Sequence, residues 1–495
     1  MKRLDQLTFT RFLALLLVII YHGGGGVYIS WIHNASILAI LRSAPSGVSY
    51  LYVLSGFVMS LVYFRPKEKF DVPGYWRARF VRIYPLYIIS FLLVCYFYLD
   101  YMARIKPLKI LTNIFVLQAW WAPYAQSFNY ASWSMTVEFF FYAVFPFFTM
   151  WAYRQPTKRL IWTSLMLWTI TQLIHFALWI GYFPAWESFI VYNPVFHLSS
   201  FIMGAVGGIW FLREGQVTQT KQTLNLFLIF ASLLLISGYV ILSNIYQQLP
   251  HDLQPMSGLI APFFILFILT LALDKTKLSA ILSHRWLVVL GETAFALYIL
   301  HVPVIWIYER ALFSSGLSNP EFILSVTNLP LMISVGLIAY FFIDPPIRKW
   351  MKNILEHVSL PLLLFDLAIF AASVYFSFVF RFGQGRELDS YRNTLMLTFW
   401  SAFLFRTAIS IMLNTLNPAN LILPTQQMIR RLLVSVTSGS IVVAVVVYAA
   451  YIAGWFGNFP RSVFVLDWGF VFCLSLIARL IFRALQLQRI ETQPA

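Results

Sequence analysis

Long apolar runs separated by short, mostly basic polar stretches dominate this chain. Crossing a bilayer as a helix takes about 20 predominantly apolar residues. Ten runs in the first 350 residues meet that requirement, near 9–26, 47–63, 84–101, 133–151, 160–181, 195–212, 225–243, 257–274, 286–308 and 328–347. Four more follow near 359–381, 394–413, 431–454 and 463–482. The pattern predicts an all-α, polytopic membrane helix bundle of about ten spans with a four-span C-terminal module. The expected division is 1–352 and 353–495, joined by the short basic stretch Lys349–Ser359. Ile110–Trp121 is too short for a span and reads as a re-entrant candidate. No repeat relates the two blocks, and no stretch offers a soluble domain of useful size.

The polar stretches orient the bundle. With the N-terminus inside, the predicted inner loops hold Arg65, Lys67, Lys69, Arg77, Arg79 and Arg82, then Arg154, Lys158 and Arg159, then Arg213 and Lys221. Lys275, Lys277 and Arg285 follow, then Arg348, Lys349 and Lys352, Arg430 and Arg431, and finally Arg483 and Arg489. All obey the positive-inside rule. Arg104, Lys106 and Lys109 are the exception, because counting Ile110–Trp121 as a span would invert everything after it. Both termini are therefore expected in the cytoplasm, with the chain in the plasma (inner) membrane.

Composition agrees. The 495 residues are 60% apolar, 18% aromatic and only 11% charged, a surface that water cannot accommodate and lipid can. The net charge of +16, from 35 basic and 19 acidic residues, suits inner loops, anionic lipid headgroups or a polyphosphate ligand. Nucleic acid is not expected, since no basic stretch is interleaved with polar recognition surface. Cys95 and Cys473 both lie in apolar runs, which excludes a disulfide framework and a cysteine metal site. Met1-Lys2-Arg3 precedes a run without a small-residue cleavage site, so the first run is expected to be retained as a span.

Ionisable residues inside spans are costly and are functional candidates by default. Arg11 and His22 share the first run, eleven residues apart. That is close to three helical turns, which puts them on nearly one stripe with Cα atoms roughly 16 Å apart. His22 could act as a general base on a hydroxyl, carry an acyl group, or bond a neighbouring helix. Arg11 could snorkel to the inner headgroups. Gly23–Gly26 should break the helix after His22 and admit another backbone or a ligand. Glu138, in Trp133-Ser134-Met135-Thr136-Val137-Glu138, is the one acid in the middle of a predicted span of the first block. It could orient a histidine, bind a sugar hydroxyl, or pair with an arginine. Arg79 and Arg82, ahead of Pro85, form a basic knot that suits phosphates, although positive-inside topology alone also accounts for it. Tyr298 and His301 share a face in the outer half of the run near 286–308, while His175 and His197 read as structural. There is no Walker A loop, no His-Glu-x-x-His, no Gly-x-Ser-x-Gly and no complete Gly-x-Gly-x-x-Gly, and no metal is expected.

Taken in order, these motifs resemble the acyltransferase-3 family of integral membrane proteins over roughly residues 5–350. Arg11 to His22 is similar to its Arg-x10-His. Val53-Leu54-Ser55-Gly56-Phe57 resembles its Ser-Gly-Phe element, and Arg79 to Arg82 its Arg-x-x-Arg. Trp133-Ser134 to Glu138, with Tyr142 and Pro146, resembles its Trp-Ser-x-x-x-Glu element. Gly291 to Tyr298, with His301 and Pro303, resembles a further segment. Two positions depart from the pattern: Asp344-Pro345-Pro346 stands for Glu-x-Pro, and Ala294-Phe295 for Ser-Tyr. The resemblance implies an enzyme moving an acyl group, by default acetyl from cytoplasmic acetyl-CoA, to a hydroxyl of a cell-envelope polysaccharide or lipid-linked glycan. It implies His22, Arg11 and Glu138 as catalytic, and Arg79 and Arg82 as holding the CoA phosphates. Trp133, Ser134, Tyr298 and His301 would support them.

Leu362–Phe382 with Asp366 and Arg381, Pro460-Arg461-Ser462, and Arg479 to Arg483 resemble the four-span module that precedes nucleotide-sugar epimerase/dehydratase domains in polysaccharide synthesis. Because no Rossmann domain follows Arg489, this block is expected to dock glycan-assembly proteins or a second copy rather than catalyse. The rival reading of the whole chain is a transporter or flippase of a lipid-linked sugar. Such proteins often show related halves, and none are visible here.

Overall fold

The computed structural model describes residues 4–24, 26–97, 105, 107–180, 184–215, 221–245, 258–383 and 386–491. Among them there is no strand. Thirteen helices among the described residues are long and apolar enough to cross a membrane. The protein is an all-α polytopic membrane bundle. Every run predicted from hydropathy coincides with one of these helices, except the run near 257–274, which coincides with the shorter apolar helix Ala261–Leu273. Of the three basic residues that resist the orientation argument, Arg104 and Lys106 lie outside the described residues, and Lys109 lies on the helix Pro107–Ile114. Ile110–Trp121 is not one helix: the helix Pro107–Ile114 stops and short 3-10 turns follow at Gln118–Trp120 and Ala122–Tyr124.

The chain forms two compact units, Met1–Phe97 with Thr112–Pro346, and Tyr98–Leu111 with Ile347–Ala495. In the first, the helices that matter for function are α1 (Asp5–Ile19), α2 (Ala44–Tyr63), α3 (Val72–Phe97), α4 (Trp133–Ala152), α5 (Pro194–Trp210) and α6 (Arg285–Phe313). Lipid tails give no hydrophobic drive for one apolar helix to leave lipid for another, so close backbone packing through small residues holds such helices together. Here α2 and α5 interlock through Gly56, which faces the Phe201 carbonyl, and Gly204, which faces the Val53 carbonyl. Helix α1 is held between two partners by the same device. Gly47 of α2 sits against the Ala14 carbonyl, and Gly291 of α6 against the Thr8 carbonyl. Gly56 and Gly291 are motif positions in the sequence, and this packing is the physical reason for glycine at both. Aromatic stacking then fills the interior, with Phe141 on Phe201 at a ring separation of 4.5 Å and Phe145 and Tyr75 stacked beside them.

Helix α3 corrects one expectation. Hydropathy starts its span near 84 and leaves Arg77, Arg79 and Arg82 in a loop, with Pro85 ahead of the helix. The helix instead begins at Val72 and contains Pro85. Three arginines lower the local hydropathy without breaking the helix, because arginine is a good helix former.

The second unit carries four candidate spans: α7 (Leu360–Phe382), the helical stretch Arg392–Met412, α8 (Thr425–Ile452) and α9 (Arg461–Glu491). Its interior holds two buried ion pairs. Arg479 donates to both carboxylate oxygens of Asp366 at 2.7 Å each. Arg406 pairs with Asp467, which also accepts from Ser373 at 2.8 Å, while Arg406 donates to Ser440 at 3.0 Å.

Candidate active site

Helix α1 delivers His22 to the site by ending badly. After Ile19 the chain widens into a π turn, Ile20–Gly24, in which His22 already has non-helical dihedrals (φ −80°, ψ 18°) and Gly23 has φ +90°. Only glycine takes that last conformation at little cost. Gly26, at φ +45°, then runs against the backbone of Ser325, the close approach expected of the glycine run. The register that eleven α-helical residues would give Arg11 and His22 is therefore not kept over the last turn.

His22 is half-buried, and its Nδ1 lies 3.0 Å from Nε2 of fully buried His301 on α6. The two rings are nearly parallel, 5.2 Å apart at 17°. His301 Nδ1 lies 2.5 Å from the carbonyl oxygen of Tyr298. A carbonyl accepts only, so in a neutral pair the proton of His301 sits on Nδ1 and its Nε2 offers a lone pair. His22 must then donate from Nδ1, which leaves its Nε2 as a free base. The hydrogen-bond network assigns this tautomer. Tyr130 closes over the His22 ring edge-on at 4.8 Å.

Beneath this pair, Tyr298, Ser134 and the Ala131 carbonyl form a buried triangle. The Tyr298 hydroxyl is 2.8 Å from the carbonyl and 2.6 Å from Ser134 Oγ. It ties the start of α4 to α6. Trp133 turns elsewhere: it packs on Tyr192 at 5.1 Å and His197 at 5.5 Å. His197 meets the Val191 carbonyl at 2.9 Å, a structural role.

Glu138 belongs to a second group. It accepts from Tyr142 at 3.1 Å and is attracted by Arg82, Arg11 and Arg79. Three helices, α1, α3 and α4, supply these charges. Arg79 is turned into the bundle: Nη2 donates to the Tyr63 hydroxyl at 2.7 Å, the guanidinium lies over the Tyr63 and Tyr142 rings, and Nε is buried without a partner. Arg82 is exposed. The site residues read from sequence thus form a histidine pair with its Tyr298–Ser134 support, and a carboxylate–arginine group, with Trp133 outside both.

Sequence reasoning missed Tyr52. It is buried on α2, its ring packs on Phe141 at 5.1 Å and on His197 at 5.2 Å, and its hydroxyl has no hydrogen-bond partner. The available signal was its position directly before the Val53–Phe57 element. Among the described residues no three His, Cys, Asp or Glu side chains are grouped to hold a metal.

A family model described as an acyltransferase domain matches residues 4–343. The chain belongs to the acyltransferase-3 family. Among relatives of this acyltransferase-3 chain is the acyltransferase MdmB of Streptomyces mycarofaciens, 25% identical over 290 residues, or 55% of this chain and 71% of the relative. The O-acetyltransferase OatA of Staphylococcus aureus is 23% identical over 384 residues, covering 70% of this chain and 59% of the relative. The peptidoglycan O-acetyltransferase OatA of Listeria monocytogenes is 24% identical over 368 residues, covering 68% and 55%. The chain therefore spans little more than half the length of both OatA relatives. No solved structure matches it.

Proposed function

We propose that this acyltransferase-3 chain is a membrane O-acetyltransferase. It would move acetyl from cytoplasmic acetyl-CoA to a hydroxyl of a cell-envelope polysaccharide or lipid-linked glycan. The observation that carries this reading is the His22–His301 pair, because its hydrogen bonds leave one basic nitrogen, Nε2 of His22, open at a helix break.

The step balances on that nitrogen. Nε2 takes the proton of the acceptor hydroxyl as its oxygen attacks the thioester carbonyl. The carbon–sulfur bond breaks, and the departing thiolate takes the proton back from Nε2. The bond from Nδ1 to His301 holds the imidazolium in place meanwhile and shares its charge. In the covalent variant the Nε2 lone pair attacks the thioester carbon and the thiolate leaves; the acceptor oxygen then takes the acyl group from Nε2 as its proton passes to that thiolate. Arg82, exposed, and Arg79, with an unpartnered buried Nε, suit the phosphates of the donor. Arg11 would guide the donor and Glu138 would keep the three arginines in place. Trp133, Ser134 and Tyr298 would brace the start of α4 and the turn of α6 that carries His301.

The acyltransferase part would comprise 1–352, in the inner membrane with both termini cytoplasmic. The module 353–495 would be of the kind that precedes epimerase/dehydratase domains and would dock glycan-assembly proteins or a second copy. The deciding measurement is transfer of labelled acetyl from acetyl-CoA by membranes holding wild type or His22→Ala at equal protein levels. Label in a glycan fraction with wild type alone supports the reading. Equal transfer by both removes His22 from the mechanism, and no transfer from any short acyl-CoA makes transport of a lipid-linked sugar the better reading.

A further inference from the structure

Helix α8 carries a second constellation that acyl transfer does not use. Gln427, Arg430, Arg431 and Val434 follow the spacing i, i+3, i+4, i+7 and so form one face. All four are exposed, and with Leu413 they line a cleft of about 410 Å³, within the range of ligand sites. The lining brings two guanidinium groups and no carboxylate. Arg431 is held by a 2.7 Å bond to Asn420, so its fork is already oriented. The first turn of α8 has no side-chain cap, which leaves backbone N–H groups at the same end. Arg483, bonded to the Leu423 carbonyl at 3.0 Å and near the Thr425 hydroxyl, adds positive charge there.

The apolar part of the face tells which anion fits. From Val434 the stripe continues through Ser438, Ile441 and Val445, with Val434 50%, Ile441 58% and Val445 60% exposed. It runs into the apolar part of a span. A soluble anion would leave this stripe unused; a phosphate on a hydrocarbon tail would engage both ends.

We propose that Arg430 and Arg431, with Gln427, form a binding site for the phosphate headgroup of a membrane lipid whose chain lies along Val434, Ile441 and Val445. Bulk anionic phospholipid and polyisoprenyl phosphate share this chemistry. The site lies in the second unit and stands apart from acyl transfer.

The test is native mass spectrometry of the full chain in detergent with added phosphatidylglycerol, polyisoprenyl phosphate or phosphatidylcholine. Wild type and Lys158→Gln, which removes a positive charge that is not part of the cleft lining, should retain the two anionic lipids in preference to phosphatidylcholine. At about fivefold per basic side chain at headgroup level, Arg430→Gln/Arg431→Gln should weaken retention roughly 25-fold. Val434→Trp, which fills the cleft without changing charge, should weaken it too and reads the site even where the double variant fails to fold. Displacement of phosphatidylglycerol by polyisoprenyl phosphate would name a carrier lipid as occupant; the reverse order would name bulk phospholipid. Both outcomes support the site. Unchanged retention by both variants, or full displacement by inorganic phosphate at equal concentration, would overturn it.

Discussion

His22 and His301 are 279 positions apart in sequence, yet Nδ1 of one lies 3.0 Å from Nε2 of the other. The contact exists because Gly291 lets α6 press against the backbone of α1 at Thr8, while Gly23 ends α1 so that His22 faces α6. Packing glycines and a helix break therefore build the pair, rather than the eleven-residue spacing from Arg11.

If His301 fixes the tautomer of His22, removing it should damage the reaction without removing the base. His301→Ala is expected to lower acetyl transfer by about 10²-fold, less than His22→Ala, within the 10²–10⁴ range of acid–base catalysis. His301→Gln can accept from His22 Nδ1–H through its carbonyl and should recover part of the rate. A merely structural role would lower protein yield instead and leave the pH profile of the residual activity unchanged. Rates and pH profiles of the three variants at matched protein levels decide the matter.

The carboxylate–arginine group should show coupling. Glu138 is the acid that Arg82, Arg11 and Arg79 all attract. Removing it alone leaves like charges together within the bundle, whereas removing Arg11 as well relieves part of that repulsion. Glu138→Ala and Arg11→Ala should each lower thermal stability in detergent. The double variant should lose less than the sum, by about 0.5–3 kcal/mol. Additive losses would mean that the two side chains do not interact.

How much of this was legible in the sequence follows from length scales. The spans could be read because each is a local property of about 20 residues. So could the start of α4 at Trp133 and the break at Gly23, which depend on neighbouring residues. The early start of α3 was hidden, because averaging over Arg77, Arg79 and Arg82 lowers hydropathy although the helix continues. The inward turn of Arg79 onto Tyr63 and Tyr142, the unpartnered Tyr52 hydroxyl and the His22–His301 contact were hidden for another reason. Each depends on which helices pack together, and no periodicity in one segment reports that.

The glycine contacts give a steric prediction. A Cβ at Gly204 would meet the Val53 carbonyl, a backbone atom that cannot swing away. Gly204→Ala should therefore force α2 and α5 apart and cost about 1–3 kcal/mol. Gly238, also helical, has open space around its Cα. Gly238→Ala should be neutral or stabilising by up to about 1 kcal/mol through helix propensity. Melting curves of the two variants in one detergent provide the comparison, and equal effects would argue against close α2–α5 packing.

The second unit offers a test of whether buried charge is a requirement or a habit of that bundle. Arg406 is almost completely buried and depends on Asp467, with Ser440 taking one further N–H. Asp467→Ala would strand a guanidinium in an apolar interior and should destabilise the full chain by about 3–5 kcal/mol. Asp467→Asn keeps one acceptor and should cost less. Replacing both partners, Arg406→Met with Asp467→Leu, removes the charge and its counter-charge together, so most of the loss should be regained. Arg479 and Asp366, joined by two bonds of 2.7 Å, supply an independent pair on which the same cycle can be run. Recovery in both cycles would mean that the ion pairs serve packing specificity and can be exchanged for apolar contacts. Recovery in one and not the other would single out the unrecovered pair as serving something beyond packing, and its neighbours would be the next residues to vary.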